Sequence, residues 1–211
     1  MGRVHIDLFT TLDGVAQAPG GPEEDASGAF PWGGWQAPLI DDVAGQWVLD
    51  GMAGLDALLL GRRTYDIFAA YWPHQDDTIG RLFNAVPKYV ASRGTPALGW
   101  PGSTALGPDL AAEVGALRER HEHVHVIGSV DLVQTLLAEE LYDVLTLWVH
   151  PVVLGEGKKV LPDGAAPARV RLLEPPAASP NGIVRLLYGP TGDRPTTGDM
   201  TVVDHAGGDW G

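Results

Sequence analysis

Three short runs in this chain carry side chains able to hold an anion. Arg62-Arg63-Thr64 follows the apolar run Ala57 to Leu60 and Gly61. Two guanidinium forks beside the free N–H groups of a helix start make a phosphate site. The same residues also fit an ordinary helix start, capped by Thr64, with two surface arginines. Ser92-Arg93 ends a second apolar run, and Gly128-Ser129 closes a third, Val124 to Ile127. A glycine at that turn lets backbone N–H groups approach a phosphate closely, and Ser129 can equally serve as a helix N-cap. For proton transfer the candidates are Asp13, Asp41 and Tyr65. Asp41 and Asp42 also suit the first turn of a helix, where carboxylates meet the dipole; one of them pointing inward would instead orient a substrate. The run Phe30-Pro31-Trp32-Gly33-Gly34-Trp35 offers Trp32 and Trp35 either as a wall against a flat ring or as pins holding a loop to the core. His121, His123 and His125 alternate and would share one strand face; they suit a zinc site or simply a polar strand entry.

These residues need a scaffold of alternating strands and helices. Arg3 to Thr11 alternates apolar and polar residues and meets the turn Asp13-Gly14, which predicts a strand. Val15 to Gly34 is rich in Gly, Pro and Ala, and reads as a long loop of the kind that serves as a lid. Pro38 to Leu55 predicts a helix, as do Tyr65 to Tyr71, Asp77 to Val86, Asp109 to Arg120 and Val130 to Leu137. Strands are expected at Asp56 to Gly61, Pro87 to Ala91, Ser103 to Leu106, His121 to Ile127 and Val144 onward through Leu154. A closing hairpin is expected from Arg169 to Leu173 and Gly182 to Tyr188. Two anion-competent strand-to-helix turns in one α/β chain matter because such folds bind ligands at the strand ends.

Composition sets outer bounds. The chain has 211 residues, 45% hydrophobic and 19% charged, which suits one globular domain with its own core. Residues 1–190 read as that domain and 191–211 as a polar tail, packing at most through Val202, Val203 or Trp210. A formal net charge of −13 argues against nucleic acid or an anionic membrane as partner, while leaving room for a small anion on a local arginine pair. Cysteine is absent, which removes disulfides and thiolate chemistry. No signal pattern or membrane-length apolar run is legible, so a cytoplasmic protein with a small-molecule substrate is the expectation.

Taken in order, Thr11-Leu12-Asp13-Gly14, Leu60-Gly61-Arg62-Arg63-Thr64-Tyr65, Lys88-Tyr89-Val90-Ala91-Ser92, Val126-Ile127-Gly128-Ser129 and Leu141-Tyr142-Asp143 through Gly157 resemble the dihydrofolate-reductase-like superfamily. The nearer likeness is to its branch holding the reductase domain of bacterial riboflavin biosynthesis. The resemblance spans roughly residues 3 to 190. It implies an α/β three-layer sandwich: a mixed, mostly parallel sheet flanked by helices, ending in an antiparallel hairpin. It implies NADPH as cofactor, with Gly61, Arg62, Arg63, Thr64, Ser92 and Arg93 facing the adenosine phosphate and pyrophosphate. Gly128, Ser129, Val130, Asp131 and Leu132 would hold the pyrophosphate, and Asp13, Gly14, Val15 and Ala16 would border the nicotinamide. Trp32, Trp35 and Asp42 are then the substrate candidates, and no metal is implied. Family habit also suggests a homodimer. Three positions depart from the pattern. Ser129 and Val130 stand where glycines are usual. Ile127 stands where riboflavin-pathway members carry a substrate-facing Glu, which argues against their substrate. The expected activity is hydride transfer to a small conjugated or heteroaromatic compound, with a flavin as a variant ring partner. The alternatives are a ligand-binding protein on the same fold and a histidine-metal hydrolase.

Overall fold

A computed structural model of the chain describes residues 1–199; the tail positions Val202, Val203 and Trp210 lie outside them. One sheet organises the molecule. Its strands are β1 (Arg3–Thr11), β2 (Ala57–Gly61), β3 (Lys88–Ala91), β4 (Ser103–Ala105), β5 (His123–Val126), β6 (Val144–His150), β7 (Val170–Leu172), β8 (Ala177–Ala178) and β9 (Val184–Pro190). The spatial order is β4-β3-β2-β5-β1-β6-β9-β7, with β8 also on β9. Every pairing from β4 to β6 is parallel, and β9 joins β6, β7 and β8 antiparallel.

Helices cover both faces. The even residues of β1, Val4, Ile6 and Leu8, pack with Val114 and Leu117 of α4 (Leu110–Arg120) and Val133 and Leu136 of α5 (Val130–Ala138). On the other face Leu58 and Leu60 pack with Tyr65 of α2 (Arg62–Tyr71) and Phe83 of α3 (Thr78–Ala85). Further along that face, Ala44 of α1 (Asp42–Gly51) meets Trp148, Ile183 and Phe9. A strand buried on both faces reads as an unbroken apolar run, which is why β2 is ALLLG with all five residues buried.

Several expected boundaries move for physical reasons. The first helix starts only after Asp41, because Pro38 and Leu39 lie in a turn and the Asp41 carboxylate accepts from Ala44 N at 2.8 Å. β6 stops at His150, before Pro151, which has no N–H to give the ladder. His121 lies outside β5: it ends α4, donating its backbone N–H to Leu117 O, while its ring meets Asp56 and the Tyr89 hydroxyl. No described helix is long and apolar enough to cross a membrane.

Candidate functional site

The carboxyl ends of β1, β2, β3 and β5 open into one cleft of about 1070 Å³. The turns after β2 and β5 form its anion-competent wall. Gly61 N–H donates to Gly128 O at 2.9 Å, so the two turns are joined through their backbones. Contact there is close. A Cβ on Gly61 would stand 2.0 Å from Ser129 Oγ, and one on Gly128 would stand 2.6 Å from Thr64 Oγ1. Gly128 also has φ +141°, outside the range of ordinary side-chain-bearing residues.

The helix starts divide into two kinds. α1, α3 and α4 are capped by Asp41, Asp77 and Asp109, each accepting a backbone N–H. α2 starts after Gly61 and α5 after Ser129, and neither has a side-chain cap. Thr64 is therefore inside α2 rather than its cap, and Ser129 Oγ is turned toward Gly61 rather than onto its own helix. The first N–H groups of both uncapped helices lack side-chain partners, and the helix dipole makes those ends electropositive. Both starts line the cleft, together with Arg62, Arg63, Ser92 and Arg93.

The remaining wall comes from the loop after β1. Trp35 Nε1 donates to Gln17 O at 2.8 Å, and Gln17 Nε2 donates to the carbonyls of Asp25 and Ser27 at 2.9 Å each. Lys158 Nζ reaches Asp25 Oδ2 at 2.7 Å, and Arg63 Nη1 pairs with Asp25 Oδ1. Asp25 thus ties the loop both to α2 and to the segment after β6. Burial pushes its carboxyl up, but hydrogen bonds from Lys158 and Ser27 prevail and hold it at about 2. Burial pushes Glu24 up, against the N–H groups of Gly20 and Gly21 on its Oε2. Between α1, α2 and α3 the lining turns apolar, with Val48, Met52, Phe68, Trp72, Ile79 and Phe83.

The expected site residues fall into two groups. Ala16, Gly61, Arg62, Arg63, Thr64, Ser92, Arg93, Gly128, Ser129, Val130, Asp131 and Leu132 all line this cleft. The others do not. Val15 is fully buried beside Phe30 and Trp35. Asp13 accepts from the Thr11 hydroxyl at 2.6 Å and from the N–H groups of Leu154 and Gly155, which hold its carboxyl below the usual range. Asp41 is likewise held low, by Ala44 N–H first, and also accepts from Asn181 N. Carboxyls kept ionised in this way are poor proton donors. Asp42 and Trp32 are exposed, and Trp35 is buried under the loop it pins. Tyr65 is 1% exposed, and its hydroxyl accepts from Trp100 N at 3.0 Å in the core. Tyr65→Phe is accordingly expected to lower stability by about 1–3 kcal/mol, since it leaves a buried N–H unpaired. Nucleotide affinity should be unchanged, and a denaturation curve beside a binding isotherm checks both. Among the described residues no group of three or more His, Asp or Glu is arranged to hold a metal ion.

Sequence reasoning passed over Asp7, Gln17, Asp25 and Lys158, all of which line the cleft. Asp7 had no signal: with Arg3 and His5 it forms the ordinary polar side of an alternating strand, opposite Val4, Ile6 and Leu8. Asp25 and Lys158 had none, being 133 residues apart.

The cleft has the features a dinucleotide needs. Two uncapped helix starts supply N–H donors, three arginines stand nearby, and glycines hold the two turns in backbone contact where any side chain would intrude.

Comparison with known proteins agrees with this architecture. The uncharacterized protein YyaP of Bacillus subtilis (strain 168) is 26% identical over 192 residues, covering 88% of this chain and 94% of that one. A pyrimidine reductase-like protein from Corynebacterium diphtheriae superposes with a TM-score of 0.64 at 15% identity, over 91% of this chain and 93% of that chain. Dihydrofolate reductase from Enterococcus faecalis, solved with NADP(H), superposes at 0.56 with 12% identity, over 90% and 97% of the two chains. These superpositions show that the fold is dihydrofolate-reductase-like. The RibD C-terminal domain family matches residues 3–181, most of the described chain, and the chain belongs to that family.

Proposed function

We infer that this protein is an NADPH-dependent reductase, transferring a hydride to a small conjugated or heteroaromatic substrate. The observation that carries this reading is the convergence of two uncapped helix starts and Arg62, Arg63 and Arg93 on one cleft that is apolar between α1, α2 and α3. Membership of a family with reductase relatives supports it. The N–H groups at the starts of α2 and α5 would take the pyrophosphate, and the arginines the 2′-phosphate, whose charge needs a fixed cationic partner. Arg62 and Arg63 are paired with Asp66 and Asp25, so a phosphate would have to exchange with those carboxylates. When bound, the reduced nicotinamide supplies the hydride. The chain's own work is to align the acceptor ring between α1 and α2, exclude water with the loop from Gln17 to Asp25, and provide a proton. A cytoplasmic setting and association into a homodimer are part of the same proposal.

A thermal-shift titration tests it. A saturable shift with NADPH, weaker with NADH and reduced in Arg62→Ala/Arg63→Ala, is the expected result. Equal responses to both nucleotides in both proteins would remove the arginines from the cofactor site.

A further inference from the structure

The floor of the cleft carries one carboxylate whose partner is neither an arginine, a lysine nor a backbone N–H. Asp7 lies in the middle of β1 and lines the cleft. Its Oδ2 is 2.8 Å from Nδ1 of His125, on the adjacent parallel strand β5. His125 is 1% exposed, and the Asp7 side chain is 14% exposed. Of the other carboxylates lining the cleft, Asp131 lies in the first turn of α5 and the rest are engaged. Asp25 is held by Arg63 and Lys158, Asp66 by Arg62, and Glu24 by two backbone N–H groups. No tyrosine lines the cleft among the described residues.

The pair does not end at His125. The His5 ring stacks on His125, with centroids 4.7 Å apart and planes within 6°. His5 Nε2 is 3.1 Å from His123 Nδ1, and His123 lies against the exposed Gly54. Two of the three histidines singled out in the sequence therefore belong to a row of imidazoles leading from Asp7 toward the surface. Burial and the neighbouring His125 lower His5 to about 4, so His5 stays neutral near pH 7. Asp56 faces His123, whose backbone N–H its Oδ1 accepts at 3.0 Å. Asp143 stands beyond His5 and is paired with Arg118 at 2.9 Å. On β6, Thr146 is level with Asp7, and α1 contributes Val48 and Met52 to the cleft.

We propose that Asp7, oriented by His125, is the proton donor of this site. The proposal rests on the reductase reading above. Reduction of a C=N bond adds a hydride, from reduced nicotinamide, at carbon and a proton at nitrogen. The Asp7–His125 pair enters the step holding one proton more than a carboxylate and a neutral imidazole, and that proton passes to nitrogen as the C=N π pair becomes the N–H bonding pair. The pair is left as a carboxylate and a neutral imidazole, one proton short, and regains that proton from water entering the cleft, which Asp7 lines. An imine nitrogen is basic enough for a carboxyl–imidazole pair to protonate, whereas a carbonyl oxygen calls for a stronger acid. Asp7 is the catalytic residue here; His125 is a positioning residue.

The test uses the full chain, Asp7→Asn, NADPH and two probes: trimethylindolenine, a neutral imine, and its N-methylated salt, which needs only a hydride. The amide keeps the carboxylate's shape, so NADPH affinity should hold. The expected result is that the variant reduces the neutral imine about 100-fold more slowly than wild type, while the N-methylated probe stays within about three-fold. Equal losses on both probes, or no loss on either, would overturn the role of Asp7. A wild-type protein that binds NADPH but reduces neither probe would overturn Asp7 as a donor to an imine nitrogen. Failure of wild type to bind NADPH would instead sink the reductase reading itself.

Discussion

Gly61→Ala is expected to weaken NADPH binding about ten-fold or more, the equivalent of about 1.4 kcal/mol. It should also cost about 1–3 kcal/mol of stability by overpacking. The backbone at Gly61 is extended, with φ −69° and ψ 152°, so alanine suffers no conformational penalty there. The whole effect comes from contact. The new methyl would stand 2.0 Å from Ser129 Oγ and 2.7 Å from Ser129 N. The hydroxyl can rotate away, but the backbone nitrogen cannot. The turns after β2 and β5 must then separate, breaking the Gly61 N–H to Gly128 O bond and spreading the two helix starts. Ser129→Gly in the same chain removes the hydroxyl but leaves the nitrogen in place, so it should restore only part of the loss. Calorimetric titration beside urea denaturation separates the two effects. An alanine variant that binds NADPH normally would show that the contact between the turns does not set the cofactor wall.

Asp25→Ala should cost about 2 kcal/mol near neutral pH, because the Asp25 carboxyl is lowered from 3.8 to about 2 in the folded protein. A depressed folded-state value stabilises the fold above the unfolded-state value and loses that contribution as pH falls. Wild-type stability is therefore predicted to drop between about pH 4 and about pH 2 by an amount the variant has already lost. The first structure released is the segment from Gln17 to Ser27, which Asp25 holds against Lys158 and Arg63. Denaturation curves across that window check the prediction. Parallel pH profiles for variant and wild type would contradict it.

How far the chain could be read in advance depended on the range of the signal. Apolar periodicity is local, so the core strands and five helices were legible, along with the glycines that end β2 and β5. Ordered short motifs carried the fold, and they also carried the residues lining the cleft from Gly61 to Thr64 and from Gly128 to Leu132. Acid–base roles were not legible, because an aspartate in a strand and one at a turn look alike in sequence. Asp13 and Asp41 are spent on backbone N–H groups, and Tyr65 on Trp100 N. Asp7 gains its meaning only when β5 brings His125 beside it, 118 residues away. The same holds for Trp32 and Trp35: the motif marked an aromatic loop, but only packing decides that Trp35 is the pin and that Trp32 faces outward.

The most direct measurement is an amide NMR titration of the labelled chain with NADPH. Saturable shifts are expected at Arg62, Arg63 and Thr64 of α2 and at Val130, Asp131 and Leu132 of α5, the two groups moving with one dissociation constant. Saturable shifts centred elsewhere, or none at either helix start, would contradict a cofactor site built from these two turns.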